Sequence, residues 1–427
     1  MRRGGLLLAI LLLIMYAIPN ETEAKETLQQ QIDAVPSGGT LVLKDQVYEE
    51  ALILSKPITI EGAAGTKIKS CTKEPVISIT GQNVTLKNLQ VESCSSIRAT
   101  TAIAVSGEGH QLENLKIKTN EFGIKLDGAN HSTIKSIELS GKGRENGIDL
   151  WKSSDNIISR TKIRHVQDGV YLENSHRNQI IENDIQDSRY GVHLMFCNQT
   201  EVSDNLSKNN STGTMIMGTK DTVVENNKLL ENNVNVHSQG ILLYDAINTR
   251  IKNNQISTNR VGIFIDQANG NVIEENLWSE NFIGMQLNQS NGNIVRNNSF
   301  IGNVNDSQAV ASEDNTIEKN YWDLSLKLDG EGNGTSMIPY TSDPYFLALS
   351  GYNPEYQIFF HSPGMILLQK LMKSEEKTLL RDEVPRMTPF AKLENGENSS
   401  SMLWVIGTAM IIISLLFFVW GRRRVLS

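Results

Sequence analysis

Through the middle of the chain apolar and polar residues alternate in short runs, "GIKL", "GIDL", "GVYL", "GVHL", "GTMI", "GILL", "GIFI" and "GMQL", each opened by glycine. Period-two alternation marks a half-buried strand, and no helical period competes with it here. The opening glycines fall at 123, 147, 169, 191, 213, 240, 262 and 284, giving steps of 24, 22, 22, 22, 27, 22 and 22. Asparagines repeat this spacing independently, at Asn183, Asn205, Asn227, Asn254, Asn276, Asn298 and Asn320. Both series place the same insertion before Gly240. A third column, Asn156, Asn178, Thr200, Thr222, Thr249, Asn271, Asn293 and Asn315, keeps step with them. Short strands on a fixed period of 22 predict an all-β fold, a right-handed parallel β-helix in which each repeat is one turn of the solenoid.

The ladder Asn183 to Asn320 then has a structural role. An Asn recurring at one position of each turn bonds turn backbone and the Asn above and below, satisfying polar groups that the turns bury. The many N-x-S/T matches follow from these Asn-rich turns and carry little weight as glycosylation sites.

Ahead of the regular part, a short amphipathic helix over roughly Glu26 to Ala34 is placed to cover the open first edge of the solenoid. Turns from about Thr40 to Trp322, stacked roughly 4.8 Å apart, predict a rod on the order of 60 Å long.

The ends set the compartment. Residues 1–24 combine Arg2 and Arg3, an apolar run and a small-residue ending, the pattern of a signal peptide. Residues 25–346 make the solenoid domain, and 347–401 a capping tail and linker in which Leu368, Leu371, Met372 and Leu379 have helical spacing. Residues 402–420 are uncharged and long enough for a transmembrane helix, and the basic tail 421–427 should stay cytoplasmic. A single-pass membrane protein with its bulk outside the cytoplasm is expected. A net charge of −8 and a pI near 5.5 argue against a nucleic-acid partner.

Three cysteines fit an oxidising compartment. Cys71 and Cys94 end similar strands ("TKIKSC", "LQVESC") one turn apart, so they can stack and form a disulfide. Cys197 is left over.

Alternation also assigns faces. Positions one and three after each glycine (Ile124, Val170, Val192, Ile216, Ile241, Ile263) fill the interior, and positions two and four point outward. Read down the turns, the outward positions include Trp151, Tyr171, His193, Met195, Met215, Met217, Leu242, Tyr244 and Phe264, a contiguous surface of the kind that marks binding. His193 falls beside Met215, and Met195 beside Met217, one strand spacing apart. Imidazole and thioether suit Cu(I) far better than Ca²⁺ or Mg²⁺. Methionine is equally at home on a protein-docking surface, so a metal site and a docking patch through Trp151, Tyr171, Leu242, Tyr244 and Phe264 both stand. Asp149, Tyr171, Glu173 and Asp266 share this face, and a β-helix that binds or cleaves polysaccharide is the alternative, weakened by the lack of a paired-carboxylate cluster. The run "DGEGNG" offers Asp329, Glu331 and Asn333 but no bidentate acid, and reads as a turn rather than a Ca²⁺ loop.

On these residues the sequence resembles the NosD family, extracytoplasmic β-helix proteins that accompany an ABC transporter in maturing nitrous-oxide reductase. The resemblance rests on "GGTLVLKDQVYEEALILSKPITIEG", "RYGVHLMF", "NYWDLSLKLDGEGNGTSMIPYTSDPYF" and "RDEVPRMTPF". It implies an accessory factor and not an enzyme, working with the transporter's ATPase and membrane subunits, with a copper chaperone and the reductase as clients. It implies copper, transiently held, or the docking of a copper-carrying client, at His193, Met195, Met215 and Met217. The chain departs from the family pattern in a weakened acidic loop after "NYW" and in its own C-terminal anchor.

Overall fold

The computed structural model describes residues 26–342 and 380–390, with isolated positions 359, 362, 364, 408 and 410. The expected signal peptide, the expected transmembrane helix apart from positions 408 and 410, and the helical spacing over Leu368 to Leu379 lie outside the described residues. Among the described residues no helix is long and apolar enough to cross a membrane.

The chain coils as a right-handed parallel β-helix of about thirteen turns. Two faces are parallel sheets of thirteen strands and the third a parallel sheet of twelve, with strands taken in order from successive turns. The glycine-led runs form the third sheet. Its register places Tyr171 beside His193, His193 beside Met215, Met215 beside Leu242 and Leu242 beside Phe264. Glu173, Met195, Met217, Tyr244 and Asp266 follow in the neighbouring column.

Inside runs one continuous apolar core, with Ile124, Val170, Ile216, Ile241 and Ile263 inaccessible to solvent. Near the last turns it becomes aromatic: Trp278, Phe300, Trp322 and Tyr340 stack in series at centroid distances of 4.6, 4.1 and 3.9 Å. Three side-chain ladders line the turns. Each Asn from 183 to 298 donates its backbone N–H and amide to the carbonyl oxygen of the next Asn, as from Asn205 to Asn227 at 2.9 and 3.0 Å. The Asn156 column does the same, with threonines interrupting it. Asn210, Asn232, Asn259, Asn281 and Asn303 form a third ladder that the sequence reading did not separate from general Asn richness.

Both ends are closed. The first helix, α1 (Leu28–Ala34), begins in a capping box of Thr27 and Gln30, buries Leu28 and Ile32, and offers its first N–H groups to Glu50. At the other end the closure among the described residues is a strand. Leu380–Asp382 pairs antiparallel with Tyr340–Ser342, and buried Asp382 accepts from the Asn320 backbone N–H (2.9 Å) and from Trp322 Nε1 (3.0 Å). Its carboxylate stands where the next Asn of the ladder would be. Cys71 and Cys94 are bridged, with Cα atoms 4.6 Å apart, and join the second sheet's early turns.

Candidate functional site

The strand Tyr190–Met195 carries the centre of the site. Val192 and Leu194 enter the core and His193 and Met195 leave it, as alternation requires. At the leading glycine the alternation fails. A Cβ added at Gly191 would lie 2.1 Å from Ser207 Oγ and 2.4 Å from the Gly213 carbonyl oxygen, and one at Gly169 would lie 2.3 Å from Ile185 Cγ2 in the core. The glycine therefore faces inward next to an inward residue, and the residue before it is turned out. Asp168 and Tyr190 occupy that position and join the outer face. Simple period-two counting puts them inside, which is why sequence reasoning missed them.

Their arrival changes the environment of His193. Its ring stands edge-on to Tyr171 and Tyr190, at centroid distances of 4.9 and 5.0 Å. Its Nδ1 lies 2.8 Å from Asp168 Oδ2. Arg189 Nε and Nη2 donate to the two oxygens of Asp168, each at 2.8 Å, while the guanidinium stacks over Tyr190. Burial alone would raise the Asp168 carboxyl, but hydrogen bonds from His193 and Arg189 outweigh it and hold the group below the ordinary range. An ionised carboxylate only accepts, so Nδ1 is the donor. The other nitrogen, His193 Nε2, is buried and has no hydrogen-bond partner.

The expectation of an exposed outward column needs correcting here. His193 and Met215 are each 7% exposed, sheltered by neighbouring turns and the tyrosine rings. Met195, Met217, Tyr171, Leu242, Tyr244 and Phe264 are half-buried, and Trp151 is exposed. The surface is a ledge of thioethers and aromatics around a sunken imidazole. The Tyr171 hydroxyl donates to Glu173 at 2.8 Å and also reaches Met195 Sδ at 3.8 Å. Cys197 turns away: its thiol is fully buried, donates toward the Leu172 and Met195 carbonyls, and is pushed up to about 11 by burial.

Carboxylates also line this face. Asp149 stands in register with Tyr171, whose hydroxyl donates to Glu173. Burial raises the Asp149 carboxyl, and the charges of Glu173 and Asp168 add to that, against a hydrogen bond from Asn146 at 2.7 Å. In the turn "DGEGNG" the Asp329 carboxylate accepts from the backbone N–H groups of Glu331, Gly332, Asn333 and Gly334, which satisfies it within the loop.

Among the described residues no group of three or more His, Cys, Asp and Glu side chains is placed to hold a metal ion. An unpartnered buried imidazole nitrogen beside methionines is a donor set that fits Cu(I) and fits hard cations poorly.

The fold is a β-helix with a ledge of thioethers and aromatics on one face. Residues 135–338, which contain the whole ledge, match the model of the NosD family, described as periplasmic copper-binding protein. This is the family that the sequence resembles. No curated protein matches the chain. Among solved structures, the periplasmic alginate epimerase AlgG matches with a TM-score of 0.52 at 15% identity, covering 68% of this chain and 83% of that one. A double mutant of the same epimerase gives 0.55 at 15%, covering 69% and 82%. A PL6 alginate lyase in complex with a trisaccharide gives 0.50 at 14%, covering 68% and 81%. At such identities these matches establish the shared β-helix and no activity.

Proposed function

We propose that this protein is an extracytoplasmic accessory factor that handles Cu(I) as cargo, holding it briefly at His193 and Met215 with Met195 and Met217 alongside. In this reading it works beside an ABC transporter and passes copper between a chaperone and nitrous-oxide reductase, and a C-terminal anchor keeps it at the membrane. The observation that carries the reading is the buried, unpartnered Nε2 of His193 in register with Met215. A desolvated nitrogen without a partner costs roughly 1–3 kcal/mol, and a soft ion would supply that partner. The matched family's description as copper-binding supports it.

The test is competitive Cu(I) titration of the purified full-length protein. It should bind Cu(I) in preference to Zn²⁺, and the combined change His193→Ala with Met215→Ala should abolish binding without unfolding the solenoid. The same variant should leave the reductase expressed but poor in its catalytic copper centre. Normal maturation of the reductase by that variant would sink the proposal.

A second reading is favoured by one specific observation, the grouping of Asp149, Asp168 and Glu173 with Tyr171 and Arg189, which resembles the equipment of a site for acidic or neutral polysaccharide. Turnover of any uronan or neutral polysaccharide by the purified protein would establish it and displace the accessory role.

A further inference from the structure

The β-helix does not require a carboxylate at the column that Asp168 occupies. Strand pairing across Tyr190 and Asp168 is made by backbone, and other turns place Thr212, Gln239 and Val261 at the same column. Yet Asp168 is wholly buried, and its two oxygens are engaged by Arg189 and by His193. Burying a carboxylate is costly unless it is paired and hydrogen-bonded. Here the pairing is complete, and its only other product is the setting of one imidazole.

We infer that Asp168, clamped by Arg189, is the positioning residue of the ledge: it keeps the His193 proton on Nδ1 and thereby presents the bare Nε2 lone pair to a ligand. The inference rests on the Cu(I) reading for the identity of that ligand, but the tautomer it predicts belongs to the protein alone. An imidazole that donates one N–H to a carboxylate is fixed in tautomer and orientation and is made more basic at the other nitrogen. The rings of Tyr171 and Tyr190 pack edge-on against the imidazole that Asp168 holds. Arg189 fixes the carboxylate in turn, since its two N–H groups match the two oxygens side by side.

Two measurements on full-length protein test this. The first uses no metal: nitrogen-15 spectra of histidine-labelled protein should show His193 protonated at Nδ1. In Asp168→Asn the amide can present an N–H to Nδ1, and the ring should lose that fixed state, as a carboxylate-to-amide change does in a histidine–aspartate pair. A wild-type His193 protonated at Nε2 overturns the inference. The second is Cu(I) competition against a coloured chelator. Asp168→Asn should weaken Cu(I) by about 10–100-fold, with the melting temperature of the apoprotein serving as the folding control, and Asp168→Glu should recover part of the loss. Because Asp168 acts through His193, adding Asp168→Asn to His193→Ala should weaken binding no further than His193→Ala alone. Wild-type affinity in Asp168→Asn, or strictly additive losses, overturns the inference. If wild-type protein binds no Cu(I), the copper reading fails and the nitrogen spectra decide the positioning role by themselves.

Discussion

At the scale of single residues, buried polar groups decide most outcomes. Asn205 makes its own ladder bonds, donates to the Ile180 carbonyl at 2.8 Å, and accepts from Asn183. Replacing it with Ala leaves the Asn183 backbone N–H without its side-chain acceptor, and should destabilise by about 1–3 kcal/mol in denaturant melts. Asn198, whose oxygen accepts from Lys220 N–H at an exposed position, should lose less on the same change. Asp306 gives the molecule a pH dependence. Burial, with the charge of Asp323 adding to it, pushes its carboxyl up to about 8. The folded state then holds a proton that the unfolded chain releases near its ordinary value of 3.8. Stability from this group is therefore full below about pH 4 and declines as pH rises toward about 8. Asp306→Asn should flatten the change in melting temperature over that range; an unchanged slope would show that Asp306 is not its source.

At the scale of elements, each strand of the third sheet is shaped by its glycine. Gly191→Ala should destabilise by about 1–3 kcal/mol, the usual cost of overpacking, because its Cβ meets Ser207 and the Gly213 backbone. It should also disturb His193, two residues on. The end closure is a second case. Asp382→Ala removes the acceptor for Asn320 N–H and Trp322 Nε1, leaving two buried donors unpaired at the last turn. Hydrogen exchange should accelerate around Asn320 and Trp322 and remain slow at the ledge. Fast exchange along the whole rod would contradict a local end cap.

At the scale of the whole molecule, a solenoid transmits little along its length, since each turn touches only its neighbours. Reducing the Cys71–Cys94 bridge, several turns away, should loosen exchange in the early turns and leave the His193 strand protected. Much of this architecture is legible in the sequence. The period of 22, the interior positions from Ile124 to Ile263 and the outward register of His193 beside Met215 follow from spacing alone, because a parallel solenoid turns sequence distance directly into stacking. The stacking of Cys71 on Cys94 is legible for the same reason. Spacing could not supply what depends on where a strand breaks its own rule or on contact between distant segments. Close approach at Gly169 and Gly191 turns Asp168 and Tyr190 outward, and burial by neighbouring turns sinks His193 and Met215. Asp382 reaches Asn320 from 62 residues away. Spacing along the chain is enough to set the coil and its columns, whereas which members of a column meet depends on packing and desolvation between turns, where no local pattern records them.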